Sequence, residues 1–318
     1  MDLIRLAAAD SEANETSRAV VHVPVNKMIG VETRPAREAL AVEEPLEIRL
    51  VHGPSHRRAT KAISVTMRTP GYDYELAAGF LMTEGVVHDA LDIQRIVYAV
   101  EASRPAETAE GSDGDWFYQP RRNIVQVELA PDVSVSLANL ERNFYTTSSC
   151  GVCGKASLLA LRTVCPPRMK NTFSIDAEVL YTLPARLREA QSVFDRTGGL
   201  HGAGLFDAEG TLLAMREDVG RHNAVDKLLG GQFLEDRTPL HDRLLLLSGR
   251  ASFELLQKAV MGGISVVAAI GAPSSLAVWV AQEFDVTLAG FLRDGHMNIY
   301  HGADRIRRET PSRKEVQA

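Results

Sequence analysis

The sequence predicts an α/β protein in two parts, a small α+β unit followed by a larger unit with a mostly parallel sheet. The chain has 318 residues, enough for one large domain or two ordinary ones. Hydrophobic residues make up 45% and charged residues 24%, which is typical of a globular protein with a sizeable core. The second half alternates short apolar runs with helical patterns, which indicates parallel strands covered on both faces, and so a three-layer arrangement.

In the first half, short stretches alternate apolar and polar residues. Such stretches predict half-buried strands over residues 45–50, 62–67, 93–100 and 124–129. A helical pattern covers residues 74–83, and Gly85 is expected to end this helix. These elements predict an antiparallel sheet with one helix. The polar, acidic residues 1–25 are predicted to be disordered, with order beginning near Val31, and residues 101–115 to form a solvated loop.

The second half contains three apolar runs, at residues 244–247, 264–270 and 286–291, which predict buried strands. Helical periodicity separates them, and Ser274 is expected to cap the second of these helices. In parallel sheets, ligands bind beyond the carboxyl ends of the strands. Two segments follow strands in this way, residues 248–250 and 293–296, and both combine glycine with a cation.

Composition excludes several classes of function. The net charge of −6 gives no overall electrostatic attraction for nucleic acid. Three cysteines are too few for a secreted disulfide framework, so a reducing cytoplasm is predicted. The first 20 residues lack the apolar segment of a signal peptide, and the longest apolar runs are far shorter than the ~20 residues of a membrane span. We therefore expect a cytoplasmic protein that binds neither membranes nor nucleic acid.

The most informative stretch is a Cys-x-x-Cys pair, Cys150 and Cys153, each followed by a glycine. Lys155 begins a predicted helix directly after the pair. A helix N-terminus and a nearby cation both favour the thiolate over the thiol. A thiolate is what a sulfur acceptor or a nucleophile requires, so the pair is predicted to be reactive.

Other interpretations of the pair remain open. A zinc site needs two further ligands and the chain has no second Cys-x-x-Cys, although His201 or His222 could complete one. A zinc deaminase needs proline where Ser149 stands, and an upstream His-x-Glu that the chain lacks. A thioredoxin-like dithiol does not match the preceding order of strand and helix, and a purely structural pair is a further alternative. Cys165 is expected to be a buried thiol.

Two further segments combine glycines with basic side chains. Four glycines in residues 198–204 surround His201, which fits either a packing corner or a binding loop. Asp218 and Gly220 predict a turn into a helix that starts at Arg221 and stops at residues 230–231. Arg221 and His222 would then lie at a helix N-terminus, which suits anions.

Arg250 and Arg293 each follow a predicted strand, and each places a cation near a glycine, as Arg221 does. Three such segments, around Arg221, Arg250 and Arg293, suggest one phosphate-bearing ligand. The chain has neither a P-loop nor a Rossmann fingerprint.

Eight motifs in register resemble the FdhD/NarQ family, the sulfur carrier proteins needed to make active formate dehydrogenase. They are EPLEIR (44–49), MRTPG (67–71), LAAGFLMTEG (76–85), SCGVCG (149–154), GLH (199–201), EDVGRHNAVDK (217–227), SGR (248–250) and APSSLA (272–277). The resemblance covers residues 31–302. It implies a cytidine-deaminase-like fold without zinc chemistry in the second half. The implied organisation is a tail (1–25), a small α+β domain (26–143), a sulfurtransferase domain (144–304) and a charged tail (305–318).

The resemblance also implies a function. A cysteine desulfurase would load sulfur onto Cys150 as a persulfide, with Cys153 assisting its transfer. The acceptor would be the molybdenum cofactor, bis(molybdopterin guanine dinucleotide), before its insertion into formate dehydrogenase. The family pattern implies a homodimer with no metal site and no permanently bound cofactor, able to hold a guanine nucleotide as a mimic.

The implied cofactor-binding segment is Phe291, Leu292, Arg293, Asp294, Gly295 and His296. The residue chemistry adds five further candidates, which are His201, Arg221, His222, Ser248 and Arg250. Two alternatives stay open at this point. One is a non-catalytic chaperone that only holds the cofactor for formate dehydrogenase, and the other is a zinc-dependent hydrolase on the deaminase-like fold.

Overall fold

The computed structural model describes residues 18–99, 122–135 and 173–308. The strands in these residues are β1 (Val20–Ile29), β2 (Glu32–Ala41), β3 (Glu44–His52), β4 (Ala59–Arg68), β5 (Ile93–Tyr98), β6 (Ile124–Leu129), β7 (Ile175–Asp176), β8 (His201–Phe206), β9 (Leu212–Asp218), β10 (Leu244–Leu247), β11 (Val266–Ala269), β12 (Thr287–Arg293), β13 (His296–His301) and β14 (Ile306–Arg307). The α-helices are α1 (Asp73–Thr83), α2 (Ala177–Ala190), α3 (Ser192–Thr197), α4 (Arg221–Leu234), α5 (Phe253–Met261) and α6 (Ser275–Glu283). Among the described helices, none is long and apolar enough to cross a membrane.

The chain divides into two compact units that are not contiguous in sequence. Of the described residues, unit 1 holds those up to 135 together with 192–201 and 217–237, and unit 2 holds the remainder. This grouping differs from the predicted single boundary at residues 143–144, because unit 1 contains residues from both sides of that boundary. Periodicity identifies an element, but it does not show which unit that element packs in.

Unit 1 contains a four-stranded sheet in the order β4-β3-β6-β5. The predicted strands are confirmed, and their inward residues, such as Leu46, Ile48 and Val127, are almost fully buried. β3 pairs antiparallel with β4 but parallel with β6, so the prediction of a purely antiparallel sheet is wrong. A parallel neighbour leaves the same alternation along a strand as an antiparallel one, and sequence alternation therefore does not distinguish the two.

Helix α4 continues through Gly230 and Gly231, where the sequence predicted that it would stop. These glycines lie where α4 packs against α1. A Cβ on Gly230 would lie 2.6 Å from the backbone nitrogen of Gly79, and a Cβ on Gly79 would lie 3.0 Å from the backbone nitrogen of Gly230. The glycines therefore permit close contact between two helix backbones and do not end the helix.

Regular secondary structure begins nearer the N-terminus, and extends nearer the C-terminus, than the sequence predicted. β1 begins at Val20, inside the segment predicted to be disordered, and pairs along its whole length with β2. At the other end β14 pairs with β7, and Arg305 is buried with a bidentate contact to Asp285. The predicted tails at residues 1–25 and 305–318 are thus too long.

Unit 2 is built on a six-stranded sheet in the order β13-β12-β11-β10-β8-β9. β10, β11 and β12 are parallel, whereas β8 and β13 run antiparallel to their neighbours. The sheet is therefore mixed, and the prediction of a mostly parallel sheet is wrong. Leu180, Leu183 and Leu187 of α2 pack against alternate residues of the central strands. The intervening residues, such as Leu245 and Val267, face the opposite side and are also fully buried. Both faces of the parallel strands are therefore covered, as predicted.

Candidate functional site

The Cys-x-x-Cys pair is the centre of the sequence prediction. Cys150, Cys153, Cys165 and Lys155 lie outside the described residues. Within the part of the chain that the structure describes, no group of three or more His, Cys, Asp or Glu side chains could hold a metal ion. The candidate groups that the structure does place fall into two sets, one in each unit.

The set in unit 2 lies at the carboxyl ends of the three parallel strands. After β10 and β11 the chain turns at Gly249 and Gly271, and the backbone nitrogen of Gly271 donates to the Gly249 carbonyl at 2.9 Å. Phe291 at the end of β12 donates in turn to the Gly271 carbonyl at 3.1 Å. The three strand ends are thus connected in a row through their backbones.

At two positions in this row the space for a side chain is tight. A Cβ on Gly271 would lie 3.0 Å from the Gly249 carbonyl oxygen and 3.1 Å from the Arg250 nitrogen. A Cβ on Gly290 would lie 2.8 Å from the Pro273 ring. Gly271 was not among the predicted site residues, although its place directly after a buried strand, like that of Gly249, is a signal in the sequence.

Phe291 has an unusual backbone conformation, with φ at 54°. The pairing of β12 with β13 is irregular between Gly290 and Arg293, so the strand bulges at Phe291. The Phe291 side chain is 40% exposed, although aromatic side chains are usually buried more deeply. A positive φ is a genuine outlier for a bulky residue, and such strain is often found where a side chain contacts a ligand.

The other residues of the predicted cofactor-binding segment, 292–296, differ in their exposure to solvent. Arg293, Asp294, Gly295 and His296 are exposed and form the turn between β12 and β13, with Gly295 at a φ of 60°. Leu292 is fully buried in the core of unit 2. Its side chain therefore packs in that core.

Arg250 and Ser248 follow β10 but differ in their surroundings. Arg250 is exposed, like Arg293. The Ser248 hydroxyl accepts a hydrogen bond from the Gly202 nitrogen at 2.8 Å, and the Ser248 nitrogen donates to the Gly202 carbonyl at 2.9 Å. Ser248 thus connects β10 to β8. A Cβ on Gly202 would lie 2.7 Å from the Gln191 side chain, which supports the packing interpretation of that glycine.

The set in unit 1 is organised by a buried ion pair. Lys227 Nζ lies 2.7 Å from Asp218 Oδ2, and both side chains are at most 1% exposed. Asp218 also accepts hydrogen bonds from Thr69 N, Gly220 N and Asn223 Nδ2, and Lys227 donates to the Thr69 carbonyl. Since a buried charge is costly unless it is paired and hydrogen-bonded, this network fixes the turn before α4. The Asn223 side chain therefore has a structural role, since it donates to Asp218.

Three basic side chains surround the start of α4: His201, Arg221 and His222. Burial lowers the pKa of His201, as do the charges of Arg221 and His222, against the opposite influence of Asp218. His201 is therefore expected to be neutral at pH 7. Arg221 Nε is buried without a hydrogen-bond partner among the described residues, and no side chain caps the helix at Gly220. These are donors that an anion would satisfy.

The fold and these groups define a mixed α/β protein of two units, with arginines and glycines at the carboxyl ends of parallel strands. A family model described as the FdhD/NarQ family matches residues 41–307. The chain belongs to that family.

Similar proteins span nearly the whole chain. A protein named sulfur carrier protein FdhD from Streptomyces coelicolor is 53% identical over 278 residues, which are 87% of this chain and 91% of that protein. The protein of the same name from Mycobacterium tuberculosis is 49% identical over 292 residues, 91% of this chain and 97% of that protein. The one from Saccharolobus solfataricus is 38% identical over 267 residues, 84% of this chain and 90% of that protein.

A solved structure from Desulfotalea psychrophila, described as a candidate formate dehydrogenase accessory protein, has a similar fold. The TM-score is 0.66 at 21% sequence identity, and the match covers 91% of this chain and 100% of that one. At this level of identity the comparison supports the fold alone.

Proposed function

We propose that this protein is a sulfur carrier that serves formate dehydrogenase by carrying sulfur as a cysteine persulfide. The observation that carries the proposal is the similarity to proteins named sulfur carrier protein over more than four-fifths of both chains, at 38% to 53% identity. The chain has a single Cys-x-x-Cys among its three cysteines, so the pair of Cys150 and Cys153 is the natural carrier. The predicted cytoplasmic location suits this role, because reducing conditions keep thiols free.

The proposed first step loads sulfur onto Cys150. Its thiolate attacks the outer sulfur of a persulfide on a cysteine desulfurase, and the desulfurase thiolate leaves as the sulfur–sulfur bond breaks. No net oxidation occurs, because one persulfide replaces another. Lys155 and the predicted helix after it would favour the Cys150 thiolate that this step requires.

The proposed second step delivers the sulfur to the molybdenum cofactor, which is the substrate of the reaction. The Cys153 thiolate attacks the inner sulfur of the Cys150 persulfide, and hydrosulfide leaves toward the cofactor. The two cysteines supply the two electrons that reduce the sulfur and are left as a disulfide, which a cellular thiol must then reduce. This gives Cys153 a role that differs from that of Cys150.

The cofactor is bis(molybdopterin guanine dinucleotide), a ligand with several phosphates and two guanines. Exposed arginines at strand ends suit the phosphates, and Arg250 and Arg293 of unit 2 are both exposed. The exposed ring of Phe291 suits a planar base. In unit 1, the donors around Arg221 suit an anion. We further propose that unit 2 is cytidine-deaminase-like, which its mixed sheet with both faces covered supports.

Persulfide formation is the direct test of this function. After incubation with a cysteine desulfurase and free cysteine, the wild-type chain is expected to gain about 32 Da, one sulfur atom, by intact-mass measurement. Cys150→Ala is expected to gain nothing, whereas Cys165→Ala, the matched control, should gain sulfur as the wild type does. An unchanged gain in Cys150→Ala, or no gain in the wild type, would exclude Cys150 as the carrier.

Guanine nucleotide binding tests the proposed ligand site in unit 2. Arg293→Ala is expected to weaken the binding of guanosine diphosphate about tenfold, because a hydrogen bond to a charged group contributes roughly 1.5–3 kcal/mol. Calorimetric titration at fixed salt measures the effect. Arg308→Ala removes another exposed arginine of unit 2 and should leave the affinity unchanged. Equal affinities for all three proteins would place the nucleotide elsewhere.

A further inference from the structure

Gln191, at the end of helix α2 in unit 2, has a buried amide that the described residues leave unsatisfied. Its side chain is 4% exposed, and its Nε2 has no hydrogen-bond partner in the described part of the chain. Buried amides are nearly always hydrogen-bonded, because an unmade bond costs the free energy of removing the group from water. An unpaired donor of this kind indicates a place where a ligand supplies the acceptor.

The amide lies at the end of the sheet where ligands are expected, on the face that α2 covers. Leu183, Leu187 and Gln191 are spaced four residues apart on one side of α2, and both leucines pack on the sheet. A Cβ on Gly202 would lie 2.7 Å from Gln191 Nε2, so the amide rests on the backbone at the start of β8. β8 runs antiparallel to β10, so its first residues lie beside the carboxyl end of β10.

Three further residues continue this face across the strand ends. Leu246 of β10 belongs to the core under α2, and alternation places Ser248 on the same face. Ile270 follows Ala268 of β11 in the same way. Phe291 lies at the bulge of the next strand, β12. The order across the sheet is thus an amide, a hydroxyl, an aliphatic side chain and an aromatic ring.

This row changes from polar to apolar along its length. Ser248 Oγ accepts a hydrogen bond from the Gly202 nitrogen, which leaves the hydroxyl proton to donate. Ile270 and Phe291 are 38% and 40% exposed, although both residue types are usually buried. A flat heterocycle would cover the two apolar side chains, and an acceptor on its edge would meet the two donors.

The spacing of the row fits a base of two fused rings. Neighbouring strands are about 4.8 Å apart, so Ile270 lies ~5 Å from Ser248 and ~10 Å from the Gly202 backbone under the amide. Two fused rings with an exocyclic oxygen are of about that length, and a single ring is shorter. The last torsion of a glutamine side chain is broad, so the amide can turn toward Ser248 when a ligand binds.

We propose that this face of unit 2 is a base-binding subsite, in which Ile270 and Phe291 hold a fused heterocycle and Gln191 donates to its oxo oxygen. The inference rests on the proposed function, because guanine and the pterin of the molybdenum cofactor both carry an oxo group on a fused ring. It adds Gln191 and Ile270 to the ligand-binding residues. It also separates the base from the phosphates, which the exposed arginines hold.

Two titrations separate the base from the phosphates. Calorimetry at fixed salt measures the affinity for guanosine diphosphate and for inorganic pyrophosphate, which has no base. Ile270→Ser is expected to weaken the nucleotide about tenfold, because apolar contact area is lost, and to leave pyrophosphate unchanged. Leu213→Ser, which removes an exposed apolar side chain of β9, should change neither affinity. An Ile270→Ser protein that binds the nucleotide as tightly as the wild type would overturn the subsite.

Gln191→Met tests the amide, since methionine has a similar length and cannot donate. It is expected to weaken guanosine diphosphate about tenfold. Without ligand the variant should be at least as stable toward urea as the wild type, because an unpaired buried amide is removed. The diphosphate of 2-aminopurine riboside lacks the oxo group, so the wild type and Gln191→Met should bind it equally. A less stable variant with unchanged nucleotide affinity would make Gln191 a purely structural residue and overturn the proposal.

The outcomes distinguish this inference from the proposed function. If the wild type binds no guanine nucleotide, the proposed ligand site fails together with its base subsite. If it binds the nucleotide and Arg293→Ala weakens it, but Gln191→Met and Ile270→Ser do not, the base subsite alone fails. Competition with a soluble pterin identifies the source of the base. Displacement of the nucleotide supports a subsite that takes both rings, and no displacement assigns it to guanine.

Discussion

Replacing Gly79 with alanine is expected to lower the free energy of unfolding by about 3 kcal/mol. The added Cβ would lie 2.7 Å from the carbonyl carbon of Asp226 and 3.0 Å from the nitrogen of Gly230. Both are backbone atoms, so no change of rotamer relieves the overlap and helices α1 and α4 must separate. Alanine is preferred over glycine within a helix by about 1 kcal/mol, and the steric cost must therefore exceed the expected net loss of stability by about that amount.

Urea unfolding followed by circular dichroism measures this loss. Gly199→Ala is the matched control, because the nearest atom to its added Cβ would be 3.6 Å away and its backbone is not left-handed. The control should change stability by no more than about 0.5 kcal/mol. If Gly79→Ala were as stable as the wild type, the two helix backbones would not be in contact.

The contact between α1 and α4 is a feature of the fold that no local pattern in the sequence specifies. The strands at Ile124–Leu129 and Leu244–Leu247 were predicted with their observed ends, because alternation and continuous apolar runs are properties of the strand itself. The course of α4 through Gly230 was not predicted. A glycine that ends a helix and a glycine that touches a neighbouring helix look the same in sequence, since the difference lies in the partner element.

The β1–β2 ribbon was missed for a related reason. Pro24 and Pro35 argue against strands, and the exposed positions of the ribbon carry valine, methionine and isoleucine where a half-buried strand would carry polar residues. The pattern is that of neither an ordinary surface strand nor a core strand.

For the candidate site, the residue types were predictable but their geometry was not. Arg250 and Arg293 were expected at strand ends because each follows an apolar run. The bulge that exposes Phe291 was not, since a left-handed backbone is rare for a bulky residue and no local pattern signals it. Nor does sequence separate Asp218 and Lys227, which form a buried pair, from ordinary surface charges, because their burial depends on the packing of Thr69 and α4.

Replacing Cys150 with alanine is expected to lower the activity of the formate dehydrogenase that this protein serves by at least about a hundredfold. Alanine has no thiolate, so sulfur has no covalent carrier and the transfer sequence stops at its first step. Formate oxidation in extracts of a host that lacks its own carrier, complemented with each variant, measures the effect. Cys165→Ala should restore activity as the wild type does.

Cys153→Ala separates the two thiols. Its persulfide should still form on Cys150, because the attack on the desulfurase needs only one thiolate. Release of hydrosulfide would then depend on a thiol from solution, so dehydrogenase activity should fall and be partly recovered by added dithiothreitol. A chaperone that only holds the cofactor predicts something different, namely that Cys150→Ala and Cys153→Ala both restore full activity. Full activity in Cys150→Ala would thus reject the carrier mechanism and leave the cofactor-binding role.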